Sequence, residues 1–496
     1  MRPAGRHGLN EDTWSIVLSF ADPNDAHSLS LVSRIIHPAA RRVVLSRAKI
    51  FSQGQLEHVC AFMLEEPQHR VRWLRELHIS DSALNASAEG LAAKLADLLG
   101  AAQNIVSLAL PCVESMLEAE PRVGTALASL ARLEVVKFSG VFAQSLNMAN
   151  TMASSPTDVT LILGTSWDDE YSTSELPVML SHLALLRKAS VVEIEFSELS
   201  GTNSYVRSYG EPSNFGFELG QLGQQPTVRE FRFRCGGPLP LFHIFPNMQV
   251  LHLRCMEDEF AQFDWEEWAW TDSVPLVEVT TDDNDQLVCL AGAHGTPMLR
   301  QLYLDQPPSH DSDVDFDVDS LRPICLTFPL EEWHAPRRTN LPLWGGHLED
   351  PAEGRLRYLQ VAAKCHSEED MPVRWVTWLL PALLASQLVC LRLSFHVTTS
   401  SGKVTRLDEA RQLLVKHLPS LRYLCIAEGK FPVEDLISAF HPRFVGECAW
   451  WRVHEVAGER RSESISCEAG ERVERYLRSA EFEKTLSLNG FVLNDA

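Results

Sequence analysis

Asp311, Asp313, Asp315, Asp317 and Asp319 alternate along the chain, a spacing that sets carboxylate oxygens where a hard cation would take them. A calcium loop of the EF-hand kind also requires glycine at its sixth position and glutamate at its twelfth. Counted from Asp311, those places hold Phe316 and Arg322, so the run reads as a solvated acidic insertion, able to meet a basic partner and holding no metal. A second cluster sets Phe260, Phe263, Trp265, Trp268 and Trp270 among the acids Glu257, Asp258, Glu259, Asp264, Glu266 and Glu267. Aromatic anchors rimmed by charge have the composition of a protein–protein hot spot, which makes Trp265, Trp268 and Trp270 candidate substrate contacts. An insertion helix folding its tryptophans back onto the chain is the other reading of the same residues.

Bond chemistry has little sequence support. The phosphate-cradling Gly-x-x-x-x-Gly-Lys-Ser/Thr, the nucleophile elbow Gly-x-Ser-x-Gly, the dinucleotide fingerprint Gly-x-Gly-x-x-Gly and the zinc-protease His-Glu-x-x-His are all missing. We therefore expect neither catalytic residues nor a cofactor. Eleven cysteines include no Cys-x-x-Cys pair, which argues for reduced thiols rather than a disulfide framework or zinc site. The N-terminal residues offer no apolar run for a signal peptide, and the Trp375–Ala385 stretch is about half the ~20 residues that span a bilayer. The expectation is a cytoplasmic or nuclear protein without a membrane segment.

Charge narrows the partners. The formal net charge is −22, which repels phosphate backbones and disfavours nucleic-acid binding. Residues 1–80 run the other way, with ten Lys/Arg against eight Asp/Glu, leaving −24 for the remainder. Arg34, Arg41, Arg42, Arg47 and Lys49 read as a solvated helix face or as a patch for an acidic partner.

The elements that must position such surfaces begin with short amphipathic helices. Asn10 can cap a helix with Trp14, Val17 and Leu18 on one face, ending at Asp22-Pro23-Asn24. Asp25 then caps a second helix carrying Leu29, Val32 and Ile36, and Pro38 suits the first turn of a third, through Val43 and Val44. Ser52-Gln53-Gly54-Gln55 has the capping-box form, and Leu56, Val59, Cys60 and Met63 follow at helical spacing until Pro67. So small a helical unit buries too little apolar surface to be robust without a partner or neighbouring domain.

This N-terminal region resembles the F-box: Leu9-Asn10-Glu11-Asp12, Trp14, Val17-Leu18 and Phe20, then Leu29-Ser30-Leu31-Val32-Ser33-Arg34 with Ile35-Ile36. The resemblance covers residues 9 to about 50 and implies an exposed apolar face that docks onto a Skp-type adaptor, and through it a cullin-RING ubiquitin ligase. On that basis Leu9, Trp14, Val17, Leu18, Leu29, Val32 and Ile35 would contact the adaptor. If the face instead packs the module against the next domain, it will be buried.

From Leu74 onward an apolar-x-x-apolar-x-apolar pattern recurs, beginning at Leu74, Ile105, Leu133, Val191, Val228, Met248, Leu276, Leu299, Leu321, Leu356, Leu388 and Leu421. Arginine sits second in the copies at 74, 228, 299, 321, 356 and 421, and Pro226, Pro246, Pro297 and Pro419 each stand two residues before an anchor. With a worn copy near Asp158–Leu163, the spacing averages about 29 residues, the upper end for leucine-rich repeats. Helical stretches such as 89–99, 176–186, 375–384 and 408–418 separate the copies, so each unit alternates strand and helix around a parallel sheet.

The expected fold is α/β: an F-box-like helical module over 1–50, a connecting helix over 51–72, an irregular leucine-rich-repeat-like horseshoe over 73–445 and a helical C-terminal cap over 446–496. Residues 201–226 read as a mobile loop. Similar to the many F-box proteins of filamentous fungi, the chain would be a non-enzymatic substrate receptor that holds the adaptor at its N-terminus and an unknown protein substrate on the concave sheet. The alternative from another class is a non-ligase repeat scaffold or inhibitor with a single protein partner.

Overall fold

The computed structural model describes residues 11–32, 34, 36–84, 89–164, 175–196, 222–234, 241–254, 276–281, 299–304, 321–331, 354–365, 371–384, 386–397, 407–430, 445–489 and 491. They belong to two units, Met1–Asn247 and Met248–Ala496.

Three short helices open the first unit: α1 (Glu11–Ser19), α2 (Pro23–Val32) and α3 (His37–Ser46). Asp22, rather than Asp25, caps α2, its carboxylate accepting from the Asn24 amide at 2.8 Å. Pro23 then takes the first helical position, where a missing N–H costs nothing. Leu18, Ala26, Ile36, Ala39 and Ala40 form a shared buried core, with Trp14, Leu29, Val43 and Val44 packed around it.

The chain leaves α3 directly into a strand. β1 (Arg47–Ile50) pairs in parallel with β2 (Glu76–Ile79), setting Ala48 opposite Leu77 and Ile50 opposite Ile79. The sheet thus starts within the segment expected to be the helical module, and α4 (Gln53–Glu65) is the helix that links its first two strands, not a connector ahead of it. Leu45-x-x-Ala48-x-Ile50 is a repeat that the pattern overlooked because alanine fills its middle position. Ser52 caps α4 as the capping-box pattern predicts, accepting from the Gln55 amide.

The rest of the first unit repeats this plan with β3 (Ser107–Leu110), β4 (Val135–Val141), β5 (Asp158–Leu163), β6 (Val191–Phe196) and β7 (Glu230–Arg234), each parallel to its predecessor. Between them run α5 (Glu89–Ala101), α6 (Val113–Ala119), α7 (Arg122–Ser129), α8 (Ala143–Asn150) and α9 (Glu175–His182), with α10 (Leu241–Ile244) after β7.

In the second unit β8 (Val250–Arg254), β9 (Glu278–Thr281), β10 (Gln301–Leu304), β11 (Cys325–Glu331), β12 (Tyr358–Cys365), β13 (Cys390–Val397) and β14 (Tyr423–Lys430) form a parallel run. The helices α11 (Met371–Leu384) and α12 (Leu407–His417) lie among them. An antiparallel hairpin, β15 (Val445–Val456) and β16 (Glu459–Ile465), extends the sheet from β14. Its turn residues Ala457 and Gly458 both have positive φ, at 54° and 83°, the backbone whose twist suits a tight hairpin. Two helices end the described chain, α13 (Cys467–Leu477) and α14 (Ala480–Thr485).

Strand register explains the sequence pattern and corrects it. Leu77, Leu108, Val136, Val159, Val192 and Phe231 are successive cross-strand partners, as are Leu251, Val279, Leu302, Leu326, Leu359, Leu391 and Leu424; all are buried. Two anchors shift by two residues. The copy read from Val191 runs from buried Ala189, and that read from Leu321 aligns on Pro323, because alternate apolar residues there satisfy the pattern in either phase. Thr281, the polar residue that weakened the copy from Leu276, is itself buried. The arginine after an anchor ties down nearby backbone: Arg229 donates to the Asn247 carbonyl at 3.0 Å and Arg357 to the Gly354 carbonyl at 2.7 Å. Among the described residues no helix is long and apolar enough to cross a membrane.

Candidate functional site

A turn and a half of α1 decides what the N-terminal helices bury. Trp14 and Leu18, four residues apart, share the stripe that faces the core, and Leu18 is wholly buried. Ile16, Val17 and Phe20 therefore project elsewhere and are 63%, 45% and 87% exposed. In α2 the inward pair is Ala26 and Leu29, which leaves Leu31 and Val32 at 74% and 80% exposure. Single exposed apolar side chains are ordinary, but five large ones within seventeen positions are not.

The basic residues of this region divide by position. Arg34 and Arg41 are exposed on the helical module, Lys49 is exposed on β1 opposite His78, and the exposed Arg42 and Arg47 stack over the Trp73 ring at 4.9 Å and pair with Glu76 at 3.0 Å respectively. Of the candidate adaptor contacts, Val17 and Val32 are exposed, Trp14 and Leu29 half-buried, and Leu18 a core residue that shapes the face without belonging to it. Leu9 and Ile35 lie outside the described residues, as do Trp265, Trp268 and Trp270, the Asp311–Asp319 run and residues 201–221.

The two sheet faces differ in kind. One carries the anchor residues and those three and five positions on, all packed inward. The residues between them form the other face, which in the first unit holds Glu76, His78, Ser107, Lys137, Asp158, Glu193, Glu230 and Arg232. Arg234 pairs with Glu193 at 3.2 Å and Arg232 with Glu230. Burial, aided by the Glu193 and Glu230 carboxylates, pushes the Asp158 carboxyl up against the pull of Arg232.

In the second unit the chain covers that face itself. Ala469, Val473 and Leu477 make the buried stripe of α13, and Val473, Leu477 and Phe482 pack on Cys325, Tyr358 and Cys390. Polar contacts fix the position. Arg478 donates to Gln301 at 3.1 Å, Gln360 at 3.0 Å, Glu474 at 2.8 Å and to the Tyr303 hydroxyl. Glu483 accepts from Arg300 at 2.7 Å and Arg355 at 3.2 Å, while Arg392 meets Glu474 at 2.6 Å. Burial opposes the Glu474 charge, yet Arg478 and Arg392 outweigh it and hold this carboxyl below the usual range. Burial pushes the Tyr303 and Tyr358 phenols up.

This placement corrects two expectations. The tail does not end the array by helix alone: the β15–β16 hairpin covers the edge of β14, and the helices lie across a face. Over β10–β14 a sheet face that could have received a substrate is therefore filled by the chain's own residues. The signal was present in the Ala469-x-x-x-Val473-x-x-x-Leu477 stripe with Glu474 and Arg478 interleaved, but its partner strand lay 177 residues upstream.

Among the described residues no group of three or more His, Cys, Asp or Glu is placed to hold a metal ion. The described residues define a mixed α/β protein whose strands are mostly parallel, with three short helices ahead of the first strand. No protein-family model matches the chain, and no curated protein shows significant similarity to it.

Proposed function

We propose that the chain is the substrate-recognition subunit of a Skp-cullin-F-box ubiquitin ligase, with an F-box-like module docking the adaptor and a leucine-rich-repeat-like array holding a protein substrate. The observation that carries this reading is the exposure of Ile16, Val17 and Phe20 on α1 and of Leu31 and Val32 on α2. A module that merely packed on its neighbour would bury them; a module awaiting a partner leaves them in water. Arg34 and Arg41 are exposed on the same helical module, and their charge would suit an acidic adaptor.

On this reading the protein makes and breaks no bonds. It raises the effective concentration of a substrate lysine beside a charged ubiquitin carrier, and proximity is its whole contribution. Substrate would bind away from the C-terminal helices, on the charged face of β2–β7 or on the Trp265, Trp268 and Trp270 segment.

The test is a co-expression pull-down with a Skp-type adaptor, comparing the intact chain with a Phe20→Asp/Val32→Asp variant. Capture by the intact chain and its loss in a folded variant are expected. Failure of the intact chain to capture adaptor would leave a repeat scaffold with a different single partner.

A further inference from the structure

Three cysteines from separate stretches of the second unit converge where the hairpin meets α13. The β15–β16 ladder ends with Trp450 opposite Ile465; Cys448 lies two residues before Trp450, Cys467 two residues after Ile465 as the first residue of α13, and their side chains meet. On the other side, Ala427 of β14 pairs with Cys448 and Cys425 with Trp450, so Cys425 lies diagonally from Cys448. Cys425 is buried, Cys448 half-buried and Cys467 exposed.

Charge and donors gather on the central sulfur. The Arg392 guanidinium reaches Cys448 Sγ at 3.9 Å and is held there by Glu474 at 2.6 Å. Cys425 and Cys467 make side-chain hydrogen-bonding contact with Cys448, and Glu471 is the nearby acid, 3.8 Å from Cys467 Sγ. The Cys425 thiol, against the burial and Glu471 that oppose ionisation, together with Arg392 and Cys467, brings Cys448 down to about 6, whereas burial pushes Cys425 up. The cluster thus sets one nucleophilic thiolate beside an exposed neutral thiol.

We propose that Cys448 is an oxidation site for hydroperoxides, with Cys467 as its resolving partner. The Cys448 thiolate attacks the peroxide O–O bond, which breaks to leave a sulfenic acid and an alkoxide or hydroxide that takes a proton from water. Cys467 then attacks the sulfenic sulfur, its proton leaving with the displaced hydroxyl as water, and a disulfide forms. The peroxide gains the two electrons that the two thiols lose. The product ties β15 to the first residue of α13 and so pins the helices that cover β10–β14.

The experiment treats the reduced full chain with a small excess of hydrogen peroxide, blocks remaining thiols with N-ethylmaleimide and maps peptides without reductant. A Cys448–Cys467 linkage is expected, with Cys448 trapped by dimedone in Cys467→Ser. Without any variant, Cys448 should react with iodoacetamide at pH 6.5 about fivefold faster than free cysteine. Oxidation first at another thiol, a Cys425–Cys448 linkage, or alkylation of Cys448 no faster than free cysteine would overturn the assignment.

Discussion

Arg392 on β13 and Glu474 on α13, 82 residues apart, meet at 2.6 Å across a face of the sheet. Glu474 also serves Arg478 at 2.8 Å, so one carboxylate neutralises two guanidiniums that are each largely withdrawn from water. Replacing it leaves both charges unpaired. Glu474→Gln is expected to cost about 3 kcal/mol in denaturant unfolding of the second unit. Because the folded-state carboxyl lies below its ordinary value, this contribution is present above the usual carboxylate range and fades as pH falls through the folded value. Protection factors of the α13 amides, which remove the intrinsic pH dependence of exchange, should therefore fall on acidification, and fall less in the Gln variant.

Gly470 sits in α13 where an added Cβ would come 2.2 Å from ring carbons of the buried Trp450. Alanine has the higher helix propensity, by about 1 kcal/mol, yet Gly470→Ala should destabilise the second unit because neither the indole nor the helix can yield cheaply. A raised melting temperature in this variant would show that the helix does not rest on Trp450.

Leu18 and Val32 should separate stability from binding. Leu18→Ala empties a wholly buried position and should cost about 2–5 kcal/mol. Val32→Asp changes a side chain already in water and should stay within about 0.5 kcal/mol of the parent. Chemical denaturation of both variants checks the pair.

β1 should behave as part of the sheet. The Ser80 amide donates to the Ile50 carbonyl at 2.9 Å and the Arg75 amide to the Ser46 carbonyl at 2.8 Å. Removing residues 1–50 takes away both acceptors and bares the edge of β2. Fast exchange at Ser80 and Arg75 is expected in the truncated chain and slow exchange in the intact one; equal rates would place the true sheet edge at β2.

Much of the strand layout was legible because the inward face admits little but large apolar side chains, and their spacing marks the strands. Legibility failed where that constraint relaxed. Ala48 is small enough to hide the first repeat, while Val191 beside Val192, and Leu321 ahead of Ile324 and Leu326, fit two phases of a two-residue alternation. The proposed docking face was only partly readable, since Trp14, Val17 and Leu18 share one apolar vocabulary and only packing reveals that Leu18 turns inward. The covering of β10–β14 was readable only as the amphipathic stripe of α13: Arg478 finds Gln301 through the fold, 177 residues upstream, and no local pattern names that partner.

The central claim is that the face bearing Phe20 and Val32 docks a Skp-type adaptor, and calorimetric titration of purified full-length chain with adaptor tests it most directly. Saturable binding that weakens at least ~100-fold in Phe20→Asp/Val32→Asp, about 2.7 kcal/mol, is the expected result. No binding by the intact chain, or binding untouched by the two substitutions, would contradict it.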